Sequence, residues 1–465
     1  MPTVAPCSGV RVGAMGRALL AARRRAQTGG QEPDTQIADL VGAAAEPLPP
    51  IADEGFARFI DRYADAKVVL LGEATHGTDE FYRARTAITE RLVREHGFSM
   101  VAVEADWPDA ARIDAYIRNR APLPPASTPF HRFPVWMWRN RAVLDLVDRL
   151  RAFNDLKADP DRNVGFVGLD LYSLPSSMDA VVKFVARYDP EGLAEVRARY
   201  GCLAPWAEDP DTFGKLARTS ALDSCAEEVA SVIEDILKAR LEHIGASDRA
   251  FHDALGNARV VAASAAYHRA MLEGSAASWN ARDTHMADTL KAVLEARGPD
   301  AKAVVWAHNS HIGDARATGM GREGELNLGQ LARETWGEAA VLIGFGTHDG
   351  TVTAASDWGA RAQTMVVNPS LPESWEAVMH ATGLDRFVLD LRGLGAPLQD
   401  ALSGDRIERF IGVIYRPRTE RPSHYAPATL AQQFDGYVWF DRTRAVEPLS
   451  TAQTRVMPEG HPFGS

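Results

Sequence analysis

An acid, a histidine and an arginine follow an apolar segment in residues 68–85, VVLLGEATHGTDEFYRAR. Glu73 and His76 come directly after VVLLG, which has the composition of a buried strand. Arg85 lies within the next predicted helix, on an apolar stripe that contains Phe81, Ala84, Ile88 and Leu92. An unpaired buried charge is costly, so we expect Arg85 to pair with Glu73 or with the carboxylate of another strand end. The alternative is that only its stem is buried and its guanidinium extends to the surface.

Ionisable residues also stand at the ends of three further apolar segments. Glu104 follows MVAV, Asp170 follows VGFVGL, and His308 follows AVVWA with His311 three positions later. In open α/β sheets the ligand crevice lies at the carboxyl ends of the strands. If these segments are parallel strands, Glu73, Glu104 and His308 gather at one edge of the sheet.

Such a set of residues suits the activation of water by a general base. A histidine such as His76 has a pKa near the working pH, and a neighbouring carboxylate can fix its tautomer. An arginine such as Arg85 can stabilise the oxyanion that forms when water attacks an ester or lactone carbonyl. The chain has no G-x-S-x-G serine elbow, no H-E-x-x-H and no P-loop. The residues therefore favour hydrolysis of a carboxylic ester without a metal, a cofactor or a covalent intermediate.

A metal site is the rival interpretation of the same residues. Glu73, His76, Glu104, His308 and His311 are all possible ligands, and a bound metal would lower the pKa of its water to near 7. Added chelator separates the two hypotheses, because it should abolish only the metal-dependent reaction.

The elements that must position these residues form an α/β pattern. Residues 68–72, a helix at 79–96 and residues 98–106 predict a βαβ unit with a parallel pair of strands. Further strands are predicted at 163–171, 303–308, 340–345, 386–391, 409–415 and 437–442, and a helix at about 139–157. We therefore predict an α/β fold with a mixed, largely parallel central sheet flanked by helices.

Strand patterns nearly vanish between about residues 176 and 300, where apolar residues recur at helical spacing. We interpret this region as a helical insertion or cap that helps to roof the cleft. Its SWNARDTHM segment places Trp279, Arg282 and Asp283 where they could contact substrate or pack the cap on the core. Trp107, close after Glu104, is a candidate apolar wall for a large substrate.

Composition excludes several classes of function. The formal net charge of -11 lacks the basic footprint of general nucleic-acid binding. Three scattered cysteines do not indicate a disulfide framework, and apolar runs are too short to span a membrane, so we expect a cytoplasmic protein. Residues 1–45 are expected to be a disordered extension, leaving residues 46–465 as the α/β domain.

Several motifs together resemble those of the erythromycin esterase family. They are LGEATHGTDEFYRAR, VEADWPDAARIDAYI, VVWAHNSHIG, GELNLGQLARETWG and HYAPATLAQQFDGYVWF, and the resemblance runs through most of residues 55–450. It implies a mixed α/β core with helical additions and metal-independent hydrolysis of a macrolide lactone. His76 matches the family's proposed general base, and the other polar active-site residues match Glu73, Arg85, Glu104, His308 and His311.

The leading hypothesis is thus a hydrolase that opens a carboxylic ester or an erythromycin-type macrolide lactone, which would give antibiotic resistance. A metal-dependent hydrolase of another substrate and a non-catalytic protein that binds a small ligand in the same crevice remain alternatives. The oligomeric state is not predicted by the sequence.

Overall fold

The computed structural model describes residues 35–122, 130, 134–157, 163–203, 227–236 and 248–449. Its strands are β1 Glu46–Pro47, β2 Val68–Leu71, β3 Met100–Asp106, β4 Gly165–Asp170, β5 Ala303–Trp306, β6 Ala340–Ala354, β7 Gln363–Val367, β8 Arg386–Asp390, β9 Arg406–Arg409, β10 Tyr425–Ala428 and β11 Gly436–Thr443. Nine of them form one sheet in the order β1-β8-β11-β6-β2-β5-β3-β4, with β7 paired to β6, while β9 and β10 form a separate pair.

Six neighbouring strands of the large sheet are parallel, namely β11, β6, β2, β5, β3 and β4. The three remaining strands, β1, β7 and β8, pair antiparallel. This arrangement confirms the predicted mixed, largely parallel sheet. It also brings the carboxyl ends of β2, β5 and β3 side by side in the middle of the sheet.

Helices cover both faces of the sheet. The helices are α1 Thr35–Ala44, α2 Asp79–Glu95, α3 Trp107–Ile117, α4 Val135–Trp138, α5 Arg141–Asp155, α6 Leu174–Tyr188, α7 Leu193–Gly201, α8 Asp248–Glu273, α9 Ser275–Arg297, α10 Asn309–Ile312, α11 Gly319–Arg322, α12 Leu328–Trp336, α13 Trp375–Ala381, α14 Ala396–Leu402, α15 Glu420–His424 and α16 Leu430–Gln433. Short 3₁₀ turns cover Phe56–Tyr63, Ala315–Ala317, Gly337–Ala339 and Pro417–Thr419. Alternate residues of β2 enter opposite cores, since Val69 and Leu71 pack with α2 and α5 whereas Val68 and Leu70 pack with α9 and α13.

Within the described part of residues 176–300, helices are joined by short turns and no strand is present. Parts of α6, α7 and α8 and residues 227–236 share a hydrophobic cluster distinct from those on the sheet. The SWNARD segment lies on α9, which also packs on the sheet. None of the described helices, α8 and α9 included, is long and apolar enough to cross a membrane.

Three expectations need correction. Residues 35–44 are not part of a disordered extension but form α1, because Ala38 and Val41 are buried against the sheet's core; residues 1–34 lie outside the described residues. The strand predicted at 409–415 exists only as β9, and beyond it Ile411 and Ile414 make single bridges to Thr75 and Ala355 instead of joining a ladder.

The third correction concerns the cysteines. Cys202 is disulfide-bonded, and its partner lies outside the described residues. The expectation that the scattered cysteines form no disulfide therefore does not hold for Cys202.

Candidate active site

The sheet delivers the predicted residues to one place. Leu71 of β2, Trp306 of β5 and Val103 of β3 lie in register across three adjacent parallel strands. The chain leaves each strand toward the same edge, as parallel strands require. Glu73 and His76 follow β2, His308 follows β5, and Glu104 lies in β3 beyond Val103, where the register shifts.

His76, Glu73 and Arg85 form a hydrogen-bonded chain. His76 Nδ1 lies 2.8 Å from Glu73 Oε1, and Arg85 Nη2 lies 2.6 Å from Glu73 Oε2. Arg85 is fully buried, and its guanidinium carbon lies 4.5 Å from the ring centroids of both Tyr82 and Trp306. Of the two alternatives for Arg85, the paired and buried one is confirmed. Its Nε and Nη1 are buried and have no hydrogen-bond partner among protein atoms. The predicted contact of Arg85 with an oxyanion stays a prediction.

His308 faces His76, with ring centroids 4.8 Å apart. The backbone N–H of Ser310 donates to His308 Nδ1 at 3.3 Å, so the neutral ring carries its proton on Nε2. That Nε2 is buried and has no hydrogen-bond partner among protein atoms. Burial and the neighbouring His76 hold the pKa of His308 well below its usual range, which keeps the ring neutral.

A second polar group adjoins the first and centres on Arg282 of α9. Its guanidinium donates to Glu104 Oε1 at 2.8 Å and to both carboxylate oxygens of Asp170, at 2.9 and 2.6 Å. The other oxygen of Glu104 accepts the backbone N–H of His308 at 2.9 Å. Burial alone would raise the pKa of Glu104, but His311, His76 and Arg282 together hold it well below its usual range. Glu104 is therefore ionised, and both of its carboxylate oxygens accept hydrogen bonds.

His311 is enclosed between two carboxylates. Its Nδ1 lies 2.9 Å from Asp283 Oδ1, and its Nε2 lies 3.3 Å from Glu104 Oε1. Although burial lowers the pKa of His311, these carboxylates raise it to about 9. Arg282 Nη1 also lies 2.9 Å from Nε2, a contact that favours an unprotonated nitrogen. We assign the imidazolium form, because two anions outweigh one cation at this ring.

Glu325 is an acidic residue of this region that sequence patterns did not reveal. It precedes Leu326, whose carbonyl accepts from Trp279 Nε1 at 2.8 Å, and Trp279 stacks on His311 with centroids 4.5 Å apart. Glu325 is 8% exposed, and no hydrogen bond or ion pair of its carboxyl occurs within the described part of the chain. Burial, with Asp283 nearby, raises its pKa to about 7.

The structure thus brings together all six residues predicted for the site, while the predicted role of Trp107 as a wall for substrate stays a prediction. The indole of Trp107 donates to Asp253 at 3.1 Å and packs against Gly256, both on cap helix α8. Trp107 therefore lies at the seam between the cap and the core. Arg282 and Asp283 hold active-site residues in place through Glu104 and His311, and contact of this segment with substrate stays a prediction. In the described ranges, no three or more His, Cys, Asp or Glu side chains are arranged to hold a metal ion.

Comparison with known proteins agrees with this architecture. The family model described as "Erythromycin esterase" matches residues 93–443, which is most of the chain. The chain belongs to the erythromycin esterase family. Another relative, named "Putative hydrolase YbfO", from Bacillus subtilis (strain 168), is 22% identical over 405 residues, covering 83% of this chain and 85% of that protein.

Solved structures share the fold of this erythromycin esterase family member. A Bacillus cereus protein is 22% identical with a TM-score of 0.76, covering 89% of this chain and 99% of its own. A succinoglycan biosynthesis protein is 21% identical with a TM-score of 0.73, covering 90% and 100% respectively. A mutant of the erythromycin esterase EreC in its open conformation is 16% identical with a TM-score of 0.62, covering 88% and 99%. At these identities the likeness supports the fold alone.

Proposed function

We propose that this hydrolase opens a carboxylic ester, with macrolide-type lactones as the substrate class, by attack of water assisted by His76. The observation that carries the proposal is the Arg85–Glu73–His76 chain facing the unpartnered Nε2 of His308. Membership of the erythromycin esterase family supports the choice of substrate class.

The reaction begins with a proton transfer to His76. Glu73 accepts the Nδ1–H of His76, which leaves Nε2 as the basic nitrogen that takes a proton from water. The carboxylate then stabilises the imidazolium that forms, much as an orienting acid does in hydrolytic triads. We assign Arg85 as a positioning residue, because its Nη2 lies 2.6 Å from Glu73 Oε2 and holds that carboxylate in place against His76.

The oxyanion requires a hydrogen-bond donor, and His308 is the side chain suited to this task. Its neutral ring offers an Nε2–H that no protein atom accepts, beside the base and at the same edge of the sheet. One such donor contributes a factor on the order of 10² to 10³ in other hydrolases. Collapse of the tetrahedral intermediate breaks the bond to the alcohol oxygen, which takes the proton from His76. The products are a carboxylate and an alcohol, with one water consumed.

The test is a panel of macrolides and model esters incubated with purified protein, with and without chelator, and analysed for a mass gain of one water. We expect turnover that chelator leaves unchanged. Loss of turnover with chelator, at an unchanged unfolding transition, would favour the metal-dependent alternative. Absence of turnover combined with ligand-dependent stabilisation would favour a binding protein.

A further inference from the structure

A second buried polar cluster lies behind the active-site loops and takes no part in the proposed reaction. It consists of Glu376 on α13, Glu408 on β9, Gln433 on α16 and Tyr437 on β11, and we call it the Glu376–Glu408 cluster. All four side chains are fully buried. Four separate elements therefore converge on a polar centre that solvent does not reach.

Only two of the seven side-chain polar atoms of this cluster have a hydrogen-bond partner among protein atoms. The backbone N–H of Arg409 donates to Glu376 Oε1 at 2.7 Å, and Asn309 Nδ2 donates to Glu408 Oε1 at 3.2 Å. By distance and angle, the second oxygen of each carboxyl, both amide atoms of Gln433 and the Tyr437 hydroxyl have no hydrogen-bond partner among protein atoms, although Gln433 is close enough to Glu408 to lower the pKa of that carboxyl. Each unsatisfied buried polar atom costs about 1–3 kcal/mol, so a native protein fills such a site.

The charge of the cluster is also uncompensated. Neither carboxyl forms an ion pair with a lysine, arginine or histidine of the described residues. The guanidinium of Arg409 is directed elsewhere, since it donates to Glu420 and to the backbone carbonyls of Asn368, Thr347 and His348. Burial raises the pKa of both Glu376 and Glu408, and each carboxylate is close enough to Tyr437 to act on its hydroxyl.

Protonation of the carboxyls, or a bound water molecule, would each satisfy only some of the unpaired polar atoms and the buried charge. A protonated Glu408 could donate its O–H to Gln433 Oε1, but this would leave Glu376 Oε2 and the Tyr437 hydroxyl unpaired. Water would satisfy hydrogen bonds but leave two anions buried together. A divalent cation meets both demands, because carboxylate, amide and hydroxyl oxygens are the ligands that hard cations prefer.

We propose that the Glu376–Glu408 cluster binds a divalent cation through Oε2 of Glu376, Oε2 of Glu408, Oε1 of Gln433 and the Tyr437 hydroxyl. Ca²⁺ suits this site better than Mg²⁺, because Ca²⁺ accepts several protein oxygens in irregular geometry whereas Mg²⁺ retains much of its water.

The ion would stabilise the active-site segment 308–311 through its contact with Glu408. Asn309 lies between His308 and His311, and its side chain links Glu408 to the backbone of Phe345 at 2.8 Å. Its backbone N–H donates to the carbonyl of Glu73 at 2.9 Å. A Cβ on Gly72 would lie 2.1 Å from Asn309 Oδ1, so only glycine leaves room for this contact. The cation is therefore structural, one residue removed from the reacting groups.

Elemental analysis of the desalted full-length protein, purified without chelator, tests the site directly. We expect about one equivalent of divalent metal per chain. After unfolding in chelator and refolding without metal, Ca²⁺ should raise Tm, whereas KCl of equal ionic strength should not. Metal far below one equivalent together with an equal Tm in Ca²⁺ and KCl would overturn the proposal.

Variants locate the binding site. Glu408→Gln and Tyr437→Phe should reduce or abolish the Ca²⁺-dependent rise in Tm, and Tyr437→Phe removes one oxygen while keeping the ring. Glu420→Gln is the matched control, because Glu420 is also buried and pairs with Arg409 but lies outside the proposed ligands. It should lower Tm and retain the response to Ca²⁺. An undiminished response in Tyr437→Phe and in a folded Glu408→Gln would contradict the assignment.

Discussion

The two histidine centres of the site, at His76 and His311, are built from the same kinds of side chain in different numbers. His76 and His311 each contact a carboxylate, and an arginine holds the local charge in both cases. His76 has one carboxylate on one nitrogen, which leaves the other nitrogen free for chemistry. His311 has a carboxylate at each nitrogen and a stacked indole, so it serves as a fixed cation. The number of anions around a ring thus decides whether a histidine is a base or a structural charge.

The largest expected effect is a loss of turnover, which should distinguish the base His76 from a structural histidine. His76→Ala should reduce turnover by a factor on the order of 10² or more while preserving the unfolding transition, because it removes the base and no buried ion pair. His380→Ala, at a half-exposed histidine that contacts Asp441, is the control and should retain activity. Loss of both activity and the unfolding transition in His76→Ala would mean that His76 is structural.

Arg282 and Arg85 should differ in how much each contributes to the free energy of unfolding. Arg282→Ala leaves Glu104 and Asp170 buried without their partner and should cost about 3–5 kcal/mol in unfolding free energy. Arg85→Ala should cost less, because Arg85 serves Glu73 alone. Denaturant unfolding of both variants measures the difference, with Arg316→Ala as an exposed control expected to change stability by about 1 kcal/mol at most. A loss of stability in Arg85→Ala that equals or exceeds the loss in Arg282→Ala would contradict this account.

The pH dependence of stability should reveal Glu325. Its folded pKa of about 7 exceeds its ordinary value of 4.5, so the folded state retains a proton that the unfolded state loses. Stability conferred by this group is complete below pH 4.5 and is lost as pH rises through 7, by roughly 3 kcal/mol in total. Glu325→Gln should abolish this part of the pH dependence, measured by denaturant unfolding from pH 4.5 to 8. Glu334→Gln, an exposed control, should not.

His311 adds a second decline in stability with rising pH, at a higher pH than that of Glu325. Its folded pKa of about 9 lies above the ordinary 6.5, so its contribution is complete below 6.5 and is lost as pH rises through 9. This decline should persist in Glu325→Gln. If Glu325→Gln retains the full decline between pH 4.5 and 7, the account of that carboxyl is wrong.

The smallest effect concerns the seam between cap and core. Trp107→Phe removes the hydrogen bond to Asp253 and should cost about 1 kcal/mol in unfolding free energy, with KM unchanged. A changed KM at unchanged stability would instead support the original prediction that Trp107 forms a wall of the substrate site.

The sequence predicted the residues that follow the parallel strands, but it could not fix the contacts made by α9 or reveal Glu325. Glu73, His76 and Arg85 lie within one strand–loop–helix unit, so periodicity and strand order were enough to place them together. Arg282, Asp283 and Glu325 reach the site through α9 and a loop after α11, and no local pattern specifies how those elements pack. The sequence placed Arg85 in the site, and the pairing of its guanidinium with Glu73 was one of the two alternatives that the apolar stripe left open.

The same limit explains the errors in the fold. RFIGVIY has strand composition, but strand pairing depends on available neighbours, and Ile411 finds only a single bridge partner at Thr75. Helix α1 was missed because the arginine-rich residues before it made the whole amino-terminal region look polar.

The most direct test of the central claim is hydrolysis of a confirmed substrate in heavy-oxygen water, followed by mass analysis of both product and protein after a single turnover. The mechanism predicts one labelled oxygen in the product carboxylate and an unchanged protein mass, because His76 delivers water to the carbonyl with no acyl-enzyme. A transient mass increase of the protein, or product formed at the wild-type rate by His76→Ala, would contradict it.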